Sequence, residues 1–228
     1  MAAGTGSRLA PLTVYTPKPL IRVNGTPMIE SIIRGLHQND IDEIYVVTGY
    51  LKDKFAYLTE KYPGVAMIDN PYYESSNNIS SLYAARNFID DVIILDGDQI
   101  INNPGVLSPG FERSGYNCVW TDSATKEWLL TVEDGIITQC SRDGGEHGWQ
   151  LYSISRWTAE DGRRLKRHLE TEYLQKNNRQ IYWDDIALFC YPEEYCLGIT
   201  PMEHKDVTEI DSLAELTRVD STYERYRN

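Results

Sequence analysis

The chain has 228 residues, of which 22 are Lys or Arg and 34 are Asp or Glu, for a formal net charge of -12. That length supports one sizeable core, and the acidity excludes a general electrostatic footprint for nucleic acid or an anionic membrane, so any anionic ligand has to be held by a local cluster of positive groups. No apolar run approaches the ~18 residues of a membrane span, and neither the four cysteines (Cys118, Cys140, Cys190, Cys196) nor the four histidines show zinc-type spacing, so reduced core thiols in an unprocessed cytoplasmic protein are expected.

In chain order, the glycine-rich turn of "MAAGTGSRLAPLTVYTPKPL" comes first. Thr26 and Pro27 then read as the N-cap and first position of a helix carrying Met28, Ile29, Ile32, Ile33 and Leu36 on one face. "EIYVVTGY" (43–50) is a strand, "KDKFAYLTEKY" a helix and "VAMID" (65–69) a strand. Asn77 and Asn78 are placed to cap a helix through "SSLYAARNFI", and "VIILDGDQI" (92–100) is a buried strand running into two carboxylates.

Strands alternating with helices predict an α/β fold: a Rossmann-like, mostly parallel sheet sandwiched by helices, with sites at the carboxyl ends of the strands. Beyond residue 110 the pattern becomes antiparallel, with "YNCVWTD", "EWLLTVEDGIITQCS" and "WQLYSIS" as strands and Asp134-Gly135 as a hairpin turn. A helix is expected to open at Thr158 and to be weakened by Gly162. "YCLGIT" is a strand and "SLAELTRVDSTYERY" a closing helix. Without a repeat or linker, residues 1–228 are expected to form one domain with a small antiparallel lobe inserted at about 111–195.

Gly4 and Gly6 allow a tight turn that presents consecutive backbone N–H groups, those of Ala3, Gly4, Thr5 and Gly6, to an anion, and Arg8 and Lys18 add full charges. The third glycine of a dinucleotide fingerprint and the Gly-Lys-Ser/Thr ending of a P-loop are both absent. Residues 2–20 closely resemble the signature of nucleotidyltransferases that move a nucleoside monophosphate from an NTP to a small phosphorylated acceptor. In that family an apolar strand precedes the Ala-Ala-Gly. The resemblance therefore implies that Met1 is an internal methionine and that the natural protein starts several residues upstream.

Asp96-Gly97-Asp98, taken alone, reads first as an ordinary Asx-rich turn, although two carboxylates at the mouth of a strand also suit Mg²⁺. The family resemblance implies Asp98 as one metal carboxylate and Asp211, in "EIDS", as the second. "ESSNNISSLYAAR" is similar to a segment of bacterial choline-phosphate cytidylyltransferases that lies near the nucleotide base, which implies contacts from Asn77, Asn78 and Ser81 in addition to the capping reading.

"TKEWLL" and "IYWDDIALF" are aromatic segments that core packing would explain equally well. The same branch has similar segments that hold the acceptor's amine, which implies Trp128, Tyr182, Trp183, Asp184 and Asp185 as acceptor residues. A trimethylammonium group needs aromatic faces worth about 0.5 to 2 kcal/mol each, whereas a primary ammonium wants carboxylate acceptors. Asp185 stands where the phosphocholine enzymes carry Asn, and an expected Arg is replaced by Thr121. This tilts the expected acceptor from phosphocholine toward 2-aminoethylphosphonate.

The expected reaction is transfer of CMP from CTP, with Mg²⁺, to a small phosphonate or phosphate ester bearing an amine, with Lys18 and Arg8 as the catalytic cations. A sugar-1-phosphate nucleotidyltransferase and a regulatory nucleotide-binding module are the alternatives.

Overall fold

The computed structural model describes residues 1–226. The strands and helices in chain order are β1 (Arg22–Val23), β2 (Thr26–Pro27), α1 (Met28–His37), β3 (Ile44–Thr48), α2 (Tyr57–Lys61), β4 (Val65–Asp69), α3 (Ile79–Ala85), β5 (Val92–Leu95) and β6 (Gln99–Ile101). They continue with β7 (Gly115–Thr121), β8 (Leu129–Glu133), β9 (Ile136–Ser141), β10 (Gly148–Trp157), α4 (Ala159–Glu170), β11 (Gly198–Pro201), β12 (Val207–Glu209) and α5 (Leu213–Val219). No helix among the described residues is long and apolar enough to cross a membrane.

Two compact units divide the chain: 1–75, 96–108 and 205–228 form the first, and 76–95 with 109–204 the second. The expected lobe at 111–195 falls within the second unit, which also takes α3 and β5.

In the first unit β3 and β4 pair in parallel, from Ile44 opposite Val65 to Thr48 opposite Asp69. Met1–Ala3 run alongside β3: Ala2 N–H donates to Val47 at 2.8 Å, Tyr50 N–H donates to Ala3 at 3.0 Å, and Ala2 and Thr48 form a parallel bridge. On the other side Gly97 N–H donates to the carbonyl of Met1 at 2.8 Å. A Cβ on Gly97 would lie 3.0 Å from that carbonyl and 3.2 Å from Pro19, so the glycine lets the Asp-Gly-Asp turn press against the start of the chain. β6 and β12 form an antiparallel ladder with Gln99 opposite Glu209.

Thr26 and Pro27 are not the start of the helix. They form β2, which folds back on β1 through Asn24-Gly25 with φ of 49° and 86°. That left-handed pair is the Asn-Gly hairpin turn, and its geometry overrides the capping pattern. Pro27 itself becomes the N-cap of α1, whose Met28, Ile29, Ile32, Ile33 and Leu36 are buried as the periodicity requires.

In the second unit a six-stranded sheet runs β5-β10-β7-β11-β9-β8. Among the described residues only β11 and β7 pair in parallel there; β10 lies antiparallel to both β5 and β7. Parallel pairing is otherwise confined to the first unit, so the α/β fold rests on mixed sheets. The Asp134-Gly135 hairpin forms as expected, with φ of 50° and 79° joining β8 to β9.

Thr158 caps α4 by accepting from the N–H of Asp161. Gly162 is required by packing, since a Cβ there would sit 2.0 Å from the carbonyl oxygen of Ile89. Helix propensity alone would make Gly162→Ala stabilising by about 1 kcal/mol. The backbone clash reverses the sign, and the variant is expected to lose about 1 to 3 kcal/mol, read as a lowered midpoint in thermal denaturation.

Candidate active site

Lys18 is the centre of the first unit's charged cluster. Its ammonium donates to Asp98 Oδ2 at 2.6 Å and to Asp211 Oδ1 at 2.6 Å. Arg8, largely exposed, donates to the same Asp211 oxygen at 3.0 Å. The structure thus brings Lys18, Arg8, Asp98 and Asp211 together in one cluster.

Local structure explains each position. Pro17 and Pro19 flank Lys18 in a tight turn, Lys18–Leu20. Gly6, at φ 62°, brings the glycine-rich loop against it: a Cβ on Gly6 would lie 2.8 Å from Lys18 Cβ and 3.1 Å from Thr13. Leu9, Ile21, Val23, Met28, Ile210 and Leu216 form one buried cluster, so burial of apolar side chains from both ends of the chain brings residue 211 to the loop.

The β6/β12 register places Asp98 opposite Ile210, whose N–H donates to the Asp98 carbonyl at 3.4 Å. A capping box at the start of α5 then fixes the Asp211 backbone: Glu215 Oε2 accepts from the N–H groups of Asp211 and Ser212, both at 2.8 Å.

Two effects compete on Lys18. Burial opposes its charge, but the charges and hydrogen bonds of Asp98 and Asp211 outweigh that penalty and hold its pKa above the usual lysine value. The N–H groups of Gly4, Thr5 and Gly6 have no acceptor among the described residues, and the side of Gly4 that would carry a Cβ is open. A loop of undonated amides beside a lysine and an arginine is equipped for an anion.

The cluster also fits a hard divalent ion. Asp98 Oδ1 is buried without a hydrogen-bond partner, and the oxygens of Asp98 and Asp211 that share Lys18 lie no farther apart than twice the 2.6 Å contact. No group of three or more His, Cys, Asp or Glu side chains gathers as a metal centre among the described residues. Two carboxylates completed by water and substrate phosphate is the mode Mg²⁺ prefers, as opposed to an all-protein cage.

The second unit holds the other expected residues, and it sorts them. Trp128 is half-buried and meets the half-exposed Tyr182 edge to face, with ring centres 5.7 Å apart; Phe189 meets Trp128 in the same way at 5.6 Å. Trp183 differs from these two. It is buried in the core, stacked near Tyr116 and edge-on to Trp157, so its indole belongs to packing and not to an open aromatic surface.

The reading of Asp184 and Asp185 as carboxylate acceptors for an ammonium is corrected at Asp185. That side chain is 4% exposed and paired with Arg142, which donates to Oδ1 at 2.6 and 3.1 Å, while Oδ2 accepts the Tyr182 N–H at 2.9 Å. Asp184 faces the buried Tyr116 phenol, whose pKa is raised first by burial and then by that carboxylate.

Asn77 and Asn78 do not cap α3 through their side chains. Asn78 Oδ1 accepts the Trp183 N–H at 2.9 Å, and Asn77 donates to the carbonyl of Gln180 at 3.1 Å. Both tie α3 to the 180–183 segment, so their first role is to position Tyr182 and Trp183. Ser81 is buried within α3. Arg142 and Phe189 were not singled out by sequence. Arg142 lies 43 residues from Asp185 in a turn of unremarkable composition, and no spacing rule signals such a pair.

With the fold and this geometry in hand, the chain belongs to the MobA-like NTP transferase domain family, whose model matches residues 1–164. Within that class it is similar to the 2-aminoethylphosphonate cytidylyltransferase of Lancefieldella rimae, 39% identical over 98% of this chain and 91% of that protein. It is also similar to the choline-phosphate cytidylyltransferase of Streptococcus pneumoniae, 31% identical over 96% of this chain and 95% of that one. The solved structure of the CTP:phosphocholine cytidylyltransferase from Streptococcus pneumoniae matches with a TM-score of 0.90, at 31% identity, over 97% of this chain and 96% of that one.

The raised Lys18 pKa has a defined consequence for stability. The contribution of the ammonium is fully present below the unfolded value of 10.5 and is lost as pH rises through the higher folded value. From neutral pH upward, the stability difference between wild type and Lys18→Met should therefore be flat and then shrink in strongly alkaline solution, as measured by urea unfolding at neutral and alkaline pH.

Proposed function

We propose that the protein transfers CMP from CTP to 2-aminoethylphosphonate, giving CMP-2-aminoethylphosphonate and pyrophosphate. The observation that carries the chemistry is the sharing of the Lys18 ammonium by Asp98 and Asp211 beside a loop of undonated amides. The acceptor is supported by the 39% identity over nearly the whole chain to an enzyme of that name. Phosphocholine is the second reading, favoured by the 31% identity and by the half-buried Trp128 and half-exposed Tyr182 rings.

An oxygen of the acceptor's phosphonate attacks the α-phosphorus of CTP; the new P–O bond forms as the bond to the β-phosphate oxygen breaks, and pyrophosphate leaves. The attacking oxygen is already an anion, so no strong base is required. What the protein supplies is position and neutralisation of charge. The N–H groups of residues 3 to 6 and the Arg8 guanidinium hold the triphosphate, and Lys18 donates to the α-phosphate. Asp98 and Asp211 would hold Mg²⁺, which supplies further neutralisation of phosphate charge when bound. Asn77, Asn78 and Ser81 are assigned to the side of the nucleotide, where the two asparagines act by fixing the 180–183 segment. Trp128 and Tyr182 receive the acceptor's ammonium, with Trp183, Asp184 and Asp185 forming the frame behind them.

The test is pyrophosphate release from CTP and Mg²⁺ with a panel of acceptors. Wild type should release it with 2-aminoethylphosphonate and not with sugar 1-phosphates. Lys18→Ala should lower kcat by about 10² to 10³-fold while circular dichroism stays native. Retention of wild-type turnover would remove Lys18 from the mechanism. Omission of the divalent ion should abolish release, and its restoration by Mg²⁺ checks the assignment of Asp98 and Asp211.

A further inference from the structure

The aromatic cluster of the second unit already contains a cation. Arg142 lies just beyond β9, and its guanidinium stacks on Phe189 with Cζ 3.8 Å from the ring centre and 5.7 Å from that of Trp128. Nε and one Nη donate to a single oxygen of Asp185, and the other oxygen of that carboxylate is bonded to the Tyr182 N–H. Asp185 is thus an anion whose charge is spent within the protein. Of the three rings, Phe189 has its face taken, which leaves Trp128 and Tyr182.

We propose that Arg142 is a specificity-determining residue of the acceptor site: its guanidinium fills the face of Phe189 that a trimethylammonium group would use, so the cluster takes a compact primary ammonium in preference to a quaternary one. This rests on the proposed function's placing of the acceptor amine at the cluster. A quaternary ammonium has no N–H to donate, and its recognition depends on aromatic faces and nearby negative charge. Arg142 takes one such face, which costs a quaternary ammonium more than a primary one, while its neutralisation of Asp185 weakens the attraction for both. A flat guanidinium is suited to this, because it covers a ring while donating in its plane to a carboxylate; a lysine ammonium is a point charge without a flat face and covers less of the ring. The pair is neutral only while both members are present. Loss of Asp185 leaves a bare cation among the rings, and loss of both charges leaves an open, neutral aromatic face.

The experiment uses the full chain with Mg²⁺ and CTP, and measures kcat and KM for 2-aminoethylphosphonate and for phosphocholine. Asp185→Asn should raise KM for both acceptors by about tenfold through repulsion from the unpaired guanidinium. Adding Arg142→Ala to that variant should restore KM and move the ratio of the two kcat/KM values about tenfold toward phosphocholine. Because the ratio compares two acceptors on one preparation, loss of folded protein cancels.

If Asp185 instead ligated the ammonium itself, the double variant would stay as poor as Asp185→Asn, and that result overturns the proposal. An unchanged ratio in every variant also overturns it. Should the alanine variants not fold, Arg142→Lys, which keeps the charge but not the stack, decides alone: a ratio shifted toward phosphocholine supports the proposal and an unshifted ratio overturns it. A wild type that transfers CMP to neither acceptor overturns the proposed function and this inference together, which separates that failure from an active enzyme with an unmoved ratio.

Discussion

Two carboxylates that approach one another at the ends of paired strands repel, and a cation between them offsets that repulsion. Here that cation is Lys18, separated in sequence by 80 residues from Asp98 and by 193 from Asp211, and bonded to both at 2.6 Å. Burial works against an ammonium at this position, and the two anions more than compensate. Much of the first unit's local structure serves this contact. The prolines on either side of Lys18 set its turn, Gly6 lets the glycine-rich loop close on it, Gly97 lets the acidic turn press inward, and the capping box of α5 holds Asp211 in register. The apolar cluster of Leu9, Ile21, Ile210 and Leu216 supplies the driving force that gathers these segments.

The candidate residues lie in two compact units. In the first, positive groups and undonated amides are surrounded by a chain of net charge -12. The local cluster is what makes an anionic ligand compatible with that overall charge. In the second, a sheet of mostly antiparallel strands carries a hydrophobic interior of Tyr116, Trp157, Trp183 and Tyr173, against which the loop bearing Tyr182 is set. Asn77 and Asn78 belong to this second arrangement. Their amides satisfy the backbone of residues 180 and 183, which explains why two adjacent asparagines open α3 without capping it.

Charge in both units is compensated from within. Asp98 and Asp211 share Lys18, and Asp185 shares Arg142. A count of acidic residues near an aromatic segment therefore overstates the negative field that a ligand meets. Asp185 illustrates this: next to Tyr182 and Trp183 in sequence it reads as an exposed acceptor for an amine, yet its carboxylate is buried and neutralised. The aromatic surface is likewise smaller than the sequence suggests, because Trp183 is core and Phe189 is covered by a guanidinium.

The sequence by itself determined what local geometry and local chemistry can encode. The amphipathic period of α1, the Asp134-Gly135 hairpin, the Thr158 cap and the Gly-rich loop with its Arg and Lys follow from backbone preferences and from side-chain patterns within a few residues. The resemblance of residues 2–20 and of two distant aspartates to a known family extended that reading to Lys18, Asp98 and Asp211. Where two local signals competed, as at Thr26-Pro27, the stronger turn at Asn24-Gly25 prevailed because hairpin geometry left the threonine no capping role. Only the tertiary structure decided that Asp185 is paired with Arg142, which tryptophan is buried and where Arg142 goes. Those outcomes depend on contacts between residues tens of positions apart, whose distances are set by sheet order and core packing and leave no periodic trace along the chain.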